Sequence, residues 1–416
     1  MQTRALLPLV ILGLSAITQA AETLSVVPDS AQALATAGGR LANLDDASAL
    51  RVSPANILQI QQTELLVNVA AWNGDIRFDS ANGASVKMSQ SWVYPASFYL
   101  VVPVVPDKLS FGFGVSTPYG MASTYPKAMD PNLRYVLPYE SRLLALDLTP
   151  AVAFKVTKNL SVAAGMDIIY SDLQLKQVYP WGMLVPGSPD GEISMHGTGW
   201  GVGGYLGINW EFAKGHRLAF VGRLPVKVRY DGEFRTRDMP TPLLGAGFTY
   251  TSGFNSDMTF PGSLAVGYGV DVTDRLTLGF DFKWNDNSSH DDLPLSIGNN
   301  QALLGGATRA VFGWQDSIDL GFGATYALDD TWKLRCGYLY SENSQPADNY
   351  TPAVCVYDRH VFGVGVGWRG KTRSIDLAYA FVYNPIRTIV GAAQPAFDGN
   401  YKHQWHVLSL SLTQRF

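Results

Sequence analysis

The chain has 416 residues and a formal net charge of −4, with 41 Gly, 20 Tyr, 19 Phe and 10 Trp but only 16% charged residues. Soluble domains run nearer a quarter charged, and an acidic chain without basic clusters does not suit nucleic acid. Low charge, many glycines and aromatics and a mean hydropathy of +0.03 point to a transmembrane β-barrel, whose polar lumen face dilutes its apolar outer face.

Arg4, the apolar run Ala5–Ala16 and Thr18-Gln19-Ala20 form a secretory signal, with a mature chain expected from Ala21. The 12 residues ALLPLVILGLSA are too few for a membrane helix. Residues 21–62 lack strand character: Ala31–Ala47 is compatible with helix, and Pro54 stops any helix near Val52. Such a segment lies either inside a barrel as a plug or outside it as a periplasmic tail.

From Thr63 to Phe416 the chain alternates with period two. In Ser374–Tyr383, Ile375, Leu377, Tyr379, Phe381 and Tyr383 share one face; in Asp274–Trp284, Leu276, Leu278, Phe280, Phe282 and Trp284 do; Leu408, Leu410 and Leu412 do so near the C-terminal Phe416. A soluble sandwich also alternates. Here short polar turns (106–108, 157–159, 272–274, 329–331, 370–372) take turns with long Pro/Gly/Asn-rich connections (179–197, 236–256, 286–308, 341–357, 386–402), which is the outer-membrane pattern. The expected fold is all-β, a transmembrane antiparallel β-barrel of about 14 strands over residues 63–416.

Alternation assigns faces. In His216–Asp231, Leu218, Phe220, Leu224, Val226, Val228 and Tyr230 are expected to face lipid, and Arg217, Arg223, Lys227, Arg229 and Asp231 the lumen. Asp167, Ser171 and Gln177 are likewise expected inside. Cys336 shares the lipid face with Trp332, Leu334 and Tyr338 and is expected as a free thiol, since Cys355 falls in the next loop. Thr117-Pro118-Tyr119-Gly120 admits two readings: a strand end, or a break in the ladder, since proline lacks the donor. The loops at 179–187 and 239–248 carry Trp181, Met183, Leu184 and Val185, and Met239, Leu243 and Leu244. These form either an exposed apolar landing site or a mutually packed lid.

The stretch LANLDDASALRVSPANI (41–57), led by Gly38-Gly39, resembles the hatch signature of the FadL family of outer-membrane channels for hydrophobic compounds, through Asp45-Asp46-Ala47 and Ser53-Pro54-Ala55. The resemblance continues through FGFGVSTPYGMAS (111–123), HRLAFVGRLPVKVRYDGEF (216–234) and DDTWKLRCGYLYSENSQPADN (329–349). It implies that residues 21–62 are a small helical hatch plugging the barrel. It implies that Thr117–Gly120 is an inward kink making a lateral exit beside Ser53, Pro54 and Ala55, and that Trp181, Met183, Leu184, Val185, Leu243 and Leu244 form an outer hydrophobic landing site. The family usually has Asn where Ser53 stands. Asp45 and Asp46 are candidates to tie the hatch to Arg223, Lys227 and Arg229, or to form a solvated acid pair. The two inward cations near the family's bound fatty acid map onto Gln177 and Ala310, with Arg309 adjacent. The head-group candidates are therefore Gln177, Arg309, Arg223, Lys227 and Arg229.

An enzyme is not expected: there is no Gly-x-Ser-x-Gly elbow, and His403 and His406 fall on opposite strand faces. No cofactor or metal is implied. The expected function is an outer-membrane channel for passive transport of long-chain fatty acids or related lipids. Neutral or aromatic hydrocarbons, or export of modified fatty acids, are the alternative, and a general diffusion porin the more distant one. The implied partners are the hydrophobic ligand and outer-membrane lipid, with the protein a monomer.

Overall fold

The computed structural model describes residues 29–89, 92–289, 292–305, 307–351 and 356–416. The signal segment, the expected start at Ala21 and Cys355 lie outside the described residues. Fourteen antiparallel strands close into one barrel. They are β1 (Glu64–Ser80), β2 (Ala96–Val105), β3 (Leu109–Thr124), β4 (Glu140–Lys155), β5 (Leu160–Tyr179) and β6 (Gly191–Ala213), then β7 (His216–Arg223, resumed as Val226–Arg237) and β8 (Thr251–Phe260, resumed as Ser263–Asp271). The remainder are β9 (Leu276–Asn285), β10 (Ser317–Ala327), β11 (Trp332–Ser341), β12 (Arg359–Arg369), β13 (Arg373–Ile389) and β14 (Gly399–Arg415). β1 and β14 close the wall without interruption from Glu64↔Arg415 to Ser80↔Gly399. The expected short turns all occur at the end where Glu64 and Phe416 lie.

The long connections are shorter than the sequence suggested. β6 already begins at Gly191, β8 at Thr251 and β14 at Gly399. These outer ends carry polar side chains on their outward face, so the apolar stripe that marks a strand in lipid stops before the strand does.

Residues 29–62 occupy the lumen. Ser30 caps α1 (Ala31–Thr36) by accepting from the Ala33 amide. The helix-compatible stretch to Ala47 is cut short because Ala37 and Gly39 take positive φ. α2 (Ala49–Val52) ends at Ser53, as Pro54 requires, and a 3-10 turn spans Pro54–Gln59. The segment is held by wall groups. Ser411 Oγ accepts from Ala31 N (2.8 Å), Asp281 from Arg40 N (2.8 Å), Glu64 from Ala47 N (2.9 Å), and Asn209 donates to Asn56 (2.6 Å).

Much of the glycine content has its reason here. Inward positions of β9–β12 carry glycine where the lumen segment runs against the wall. A Cβ on Gly337 would fall 1.6 Å from the Thr36 carbonyl oxygen, and one on Gly38 would fall 2.2 Å from the Gly321 Cα. Backbone meets backbone along this stripe, and only glycine leaves the room.

The faces of β7 and β8 are a correction to simple alternation. Ala219 and Val221 are buried inside with Arg223, and Phe220 faces out; beyond Pro225, Val226, Val228 and Tyr230 are buried inside while Lys227 and Arg229 face out. Between the pairs Tyr205↔Arg223 and Trp200↔Arg229, β7 takes one more residue than β6. β8 breaks in step at Pro261-Gly262, so Phe254, Met258 and Phe260 point inward above it and Ala265 below. Proline cannot donate to the ladder, and a slip of one residue exchanges the faces of everything beyond it. Val226, Val228 and Tyr230 are therefore lumen residues, and Lys227, Arg229 and Asp231 are not.

Gly337→Val should leave a barrel that folds and inserts but loses about 1–3 kcal/mol, the usual cost of overpacking. In planar bilayers it should show ionic conductance above that of the parent as the lumen segment is displaced. An unchanged denaturation midpoint with no added conductance would refute the packing argument.

Candidate functional site

β3 is where the wall is incomplete. β4 pairs with it along its whole length, from Leu109↔Phe154 to Thr124↔Glu140, but the register shifts between Ser116 and Tyr119, so that Thr117 and Pro118 stand against Leu146 alone. β2 pairs only with its lower half, ending at Phe98↔Val115. Beyond Val115, among the described residues, no strand pairs with β3 on that side; a single backbone bond, Ser89 N to Thr124 O (2.8 Å), closes the top. Ser116, Thr117 and Pro118 are buried in succession, so the strand turns inward. This is a bulge with a bend, not a strand end. Gly120 is not essential to it: its φ is not positive, and an added Cβ would meet only the Leu143 oxygen at 3.7 Å.

The bend carries Tyr119 across the lumen. Its ring stacks on Phe260 of β8 with centroids 4.7 Å apart, and its hydroxyl lies 3.4 Å from the Pro261 carbonyl. Pro118 and Tyr119 line a cavity of about 240 Å³ at the centre of the barrel, together with Leu34, Val52, Trp72, Val361, Val382 and Val407. Among the charged groups of its lining are Arg40, Arg51, Arg223, Asp281, Lys283, Asp319 and Arg359. Arg223 is committed: it donates to Asp167 (2.6 and 2.8 Å) and to the Arg51 carbonyl, and lies 4.1 Å over the Tyr205 ring. Arg51 reaches Asp147, at the register shift of β3 and β4, at 3.5 Å. The acid nearest Lys283 is Asp319, at 4.0 Å. Above the cavity the lumen is apolar, with Tyr230, Phe234, Phe254, Met258 and Phe260 in one buried cluster.

The other candidates fall as follows. Asp45 meets Lys333 (3.1 Å) and Arg369 (3.8 Å) and accepts from Gln32 (2.7 Å). Its wall cations are therefore on β11 and β12, not Arg223, Lys227 or Arg229. Asp46 accepts from Ser30 Oγ (2.9 Å) and from the Ser48 amide (2.9 Å). Burial alone would raise the Asp45 carboxyl, but Lys333, Arg335, the Gln32 amide and Arg369 outweigh it and hold it well below the usual range. Burial pushes Asp46 up to about 7 against its Ser48 hydrogen bond, and Glu64 and Asp376 add to the rise. Ser53, Pro54 and Ala55 are buried. Ser53 Oγ lies 3.3 Å from Asn56 Oδ1, and Pro54 packs over Gly207 of β6. Arg51 and Val52, missed in the sequence, are the lumen residues that share the cavity with the bend.

Two head-group candidates are not lumen cations. Gln177 donates to the Tyr135 carbonyl of an outer loop. Arg309 sits in a small hairpin, Asp292–Pro294 with Arg309–Val311, where it is 65% exposed and pairs with Asp292 at 3.5 Å. The alternation of β10 does not extend back from Ser317 to Arg309, because the chain leaves the wall between them, with Gly313 at φ +59°. Lys283 of β9, not among the sequence candidates, is a cation that lines the cavity.

The expected landing site divides. Trp181 and Leu243 are buried with Met239 in the lumen cluster, Val185 is half-buried against it, and the Trp181 indole donates to the Arg237 carbonyl (2.9 Å). Met183 (81% exposed), Leu184 and Leu244 face outward. The loops therefore pack on one another as a lid, which an apolar loop sequence alone does not distinguish from an exposed patch. Cys336 is a free thiol on the outer face.

The family model described as "Outer membrane protein transport protein (OMPP1/FadL/TodX)" matches residues 12–416. The chain is 21% identical over 385 residues to the "Long-chain fatty acid transport protein" of Escherichia coli K12, covering 83% of this chain and 84% of that protein. Its fold is that of a Pseudomonas aeruginosa FadL homologue (TM-score 0.84, 20% identity, 95% of this chain and 100% of that one). It is likewise that of the P. putida toluene transporter TodX (TM-score 0.72, 17% identity, 95% and 99%).

In a background lacking Cys336 and Cys355, Lys227→Cys should react with a membrane-impermeant maleimide on whole cells and Val228→Cys should not; the reverse would return the cations to the lumen. Asp46 holds its proton more tightly in the folded chain (about 7) than in the unfolded one (3.8). Its contribution to stability is thus complete below about pH 4 and lost as pH rises through about 7. Asp46→Asn should flatten that part of the pH–stability curve, measured by denaturant unfolding in detergent.

Proposed function

The chain belongs to this family of outer-membrane transport proteins for hydrophobic compounds, and from that premise we propose that it is a passive channel for long-chain fatty acids or related lipids. The observation that carries the reading is the bend in β3, where Pro118 and Tyr119 line the lumen cavity at the point where the β2–β3 ladder stops. An alkyl chain costs roughly 0.8 kcal/mol per CH₂ in water, so it gains from a path that stays apolar and leaves sideways into lipid. The apolar cluster above the cavity supplies the path, the interrupted ladder the exit. Residues 29–62, filling the lumen below, divert the molecule sideways and oppose free diffusion of ions. Arg51 couples this hatch to the bend through Asp147.

Lys283, with its distant acid partner, suits an anionic head group better than Gln177 or Arg309 does. The carboxylate would displace Asp319 at little cost, because the pair is long. A neutral or aromatic hydrocarbon is the second reading, supported by the commitment of Arg223 to Asp167, which removes one cation from the cavity.

In cells lacking their own outer-membrane fatty-acid transporter, this chain should raise uptake of radiolabelled oleate above the empty vector. Deleting Pro118 would remove both the extra residue and the missing donor and should return uptake to the vector level with the barrel still heat-modifiable on gels. Toluene entry without oleate uptake would select the hydrocarbon reading, and neither would defeat the proposal.

A further inference from the structure

The flip of β7 at Pro225 leaves Lys227 and Arg229 with no part in the lumen and sets them on the outer wall. We propose that they form a binding site for the phosphate groups of the phosphorylated glycolipid of the outer leaflet. Both cations turn to one carboxylate, Asp257 of β8, at 2.9 and 3.3 Å. The cation side chains are 62% and 76% exposed, that of the acid 28%. Asp257 thus holds the two cations side by side while its single charge leaves one of theirs over. Two adjacent cations with free donors match a phosphate monoester, which takes charge-assisted bonds from both.

Height on the wall selects the lipid. Arg229 stands directly opposite Trp200 in the ladder; Trp200 is exposed and its ring lies 5.1 Å from that of Tyr170, the aromatic pairing found where hydrocarbon gives way to head groups. Below it the outward side chains are Val202, Leu224 and Leu264, all exposed and apolar, a surface for acyl chains. Above it the site ends. Asp231 would repel a phosphate, Arg235 has its own acid in Glu233, and Arg237 has Glu192 at 3.8 Å. A ligand touching both levels must carry phosphate and acyl chains together, which free phosphate does not.

The protein, reconstituted in phosphatidylcholine nanodiscs, should bind added bisphosphorylated lipid A, read by native mass spectrometry. The variant Lys227→Ser/Arg229→Ser/Asp257→Asn, which leaves no stranded acid, should bind at least about tenfold more weakly. Lipid A stripped of phosphate should bind the parent as weakly as lipid A binds the variant, and millimolar inorganic phosphate should not displace lipid A. Arg235→Ser/Arg237→Ser should bind like the parent. Equal binding by parent and triple variant overturns the proposal. So does an equal loss in the Arg235/Arg237 variant, which would mean diffuse attraction, or displacement by inorganic phosphate, which would mean a site for the free ion. If the triple variant fails to become heat-modifiable, Arg229→Gln alone must show the same direction of change, and its failure to do so is equally fatal.

Discussion

A backbone amide in hydrocarbon must find its partner inside the protein, and the rest of the structure follows from that demand. It closes β1 on β14 over their full length. It also makes every interruption of the ladder a costly exception, to be gathered where something else satisfies the freed groups or where opening is useful. The interruptions here meet around one cavity. The Tyr119 hydroxyl from the β3 bulge approaches the Pro261 carbonyl of β8, and the Pro225 ring of β7 lies 3.0 Å from where a Cβ on Gly262 would fall. Three prolines on three strands thus share one region of the wall.

The lumen segment could not fill a barrel of this width by apolar packing alone, because it presents as much backbone as side chain. Inward glycines let it approach the wall to van der Waals contact, and wall side chains take up its free amides. The charged groups around it serve position more than stability. Arg51 with Asp147 and Arg223 with Asp167 are buried pairs, whose desolvation offsets most of their attraction. Losing one partner, however, would strand a buried charge, so the four fix the height of the lumen segment beside the bend. The same network occupies Arg223 with Asp167, while Lys283 lines the cavity with its acid partner Asp319 4.0 Å away.

The barrel was legible in the sequence because lipid imposes period two on each strand separately, and strands such as Ile375–Tyr383 carry it without a break. The signature at 41–57 was legible as a hatch only by resemblance; its contacts with Lys333 and Arg369 were not, because they join residues nearly 300 positions apart (Asp45 and Lys333). The outer ends of β6, β8 and β14 read as loops because water, unlike lipid, demands no stripe. Trp181 and Leu243 read as exposed because a sequence shows that a loop is apolar but not what packs on it.

By itself the sequence determined the number of strands, the lipid-facing stripes of those strands whose ladder is regular, and the need for something non-strand at the front of the chain. These are local demands of the solvent on each segment, written in its own residues. Only the tertiary structure decided which way Lys227, Arg229, Gln177 and Arg309 point. Pattern carries a face forward only while the ladder is regular, and one extra residue at Pro225, or one departure from the wall before Ser317, inverts or erases it. Whether a proline breaks the ladder or sits harmlessly at its edge depends on the neighbouring strand, which no stretch of sequence contains.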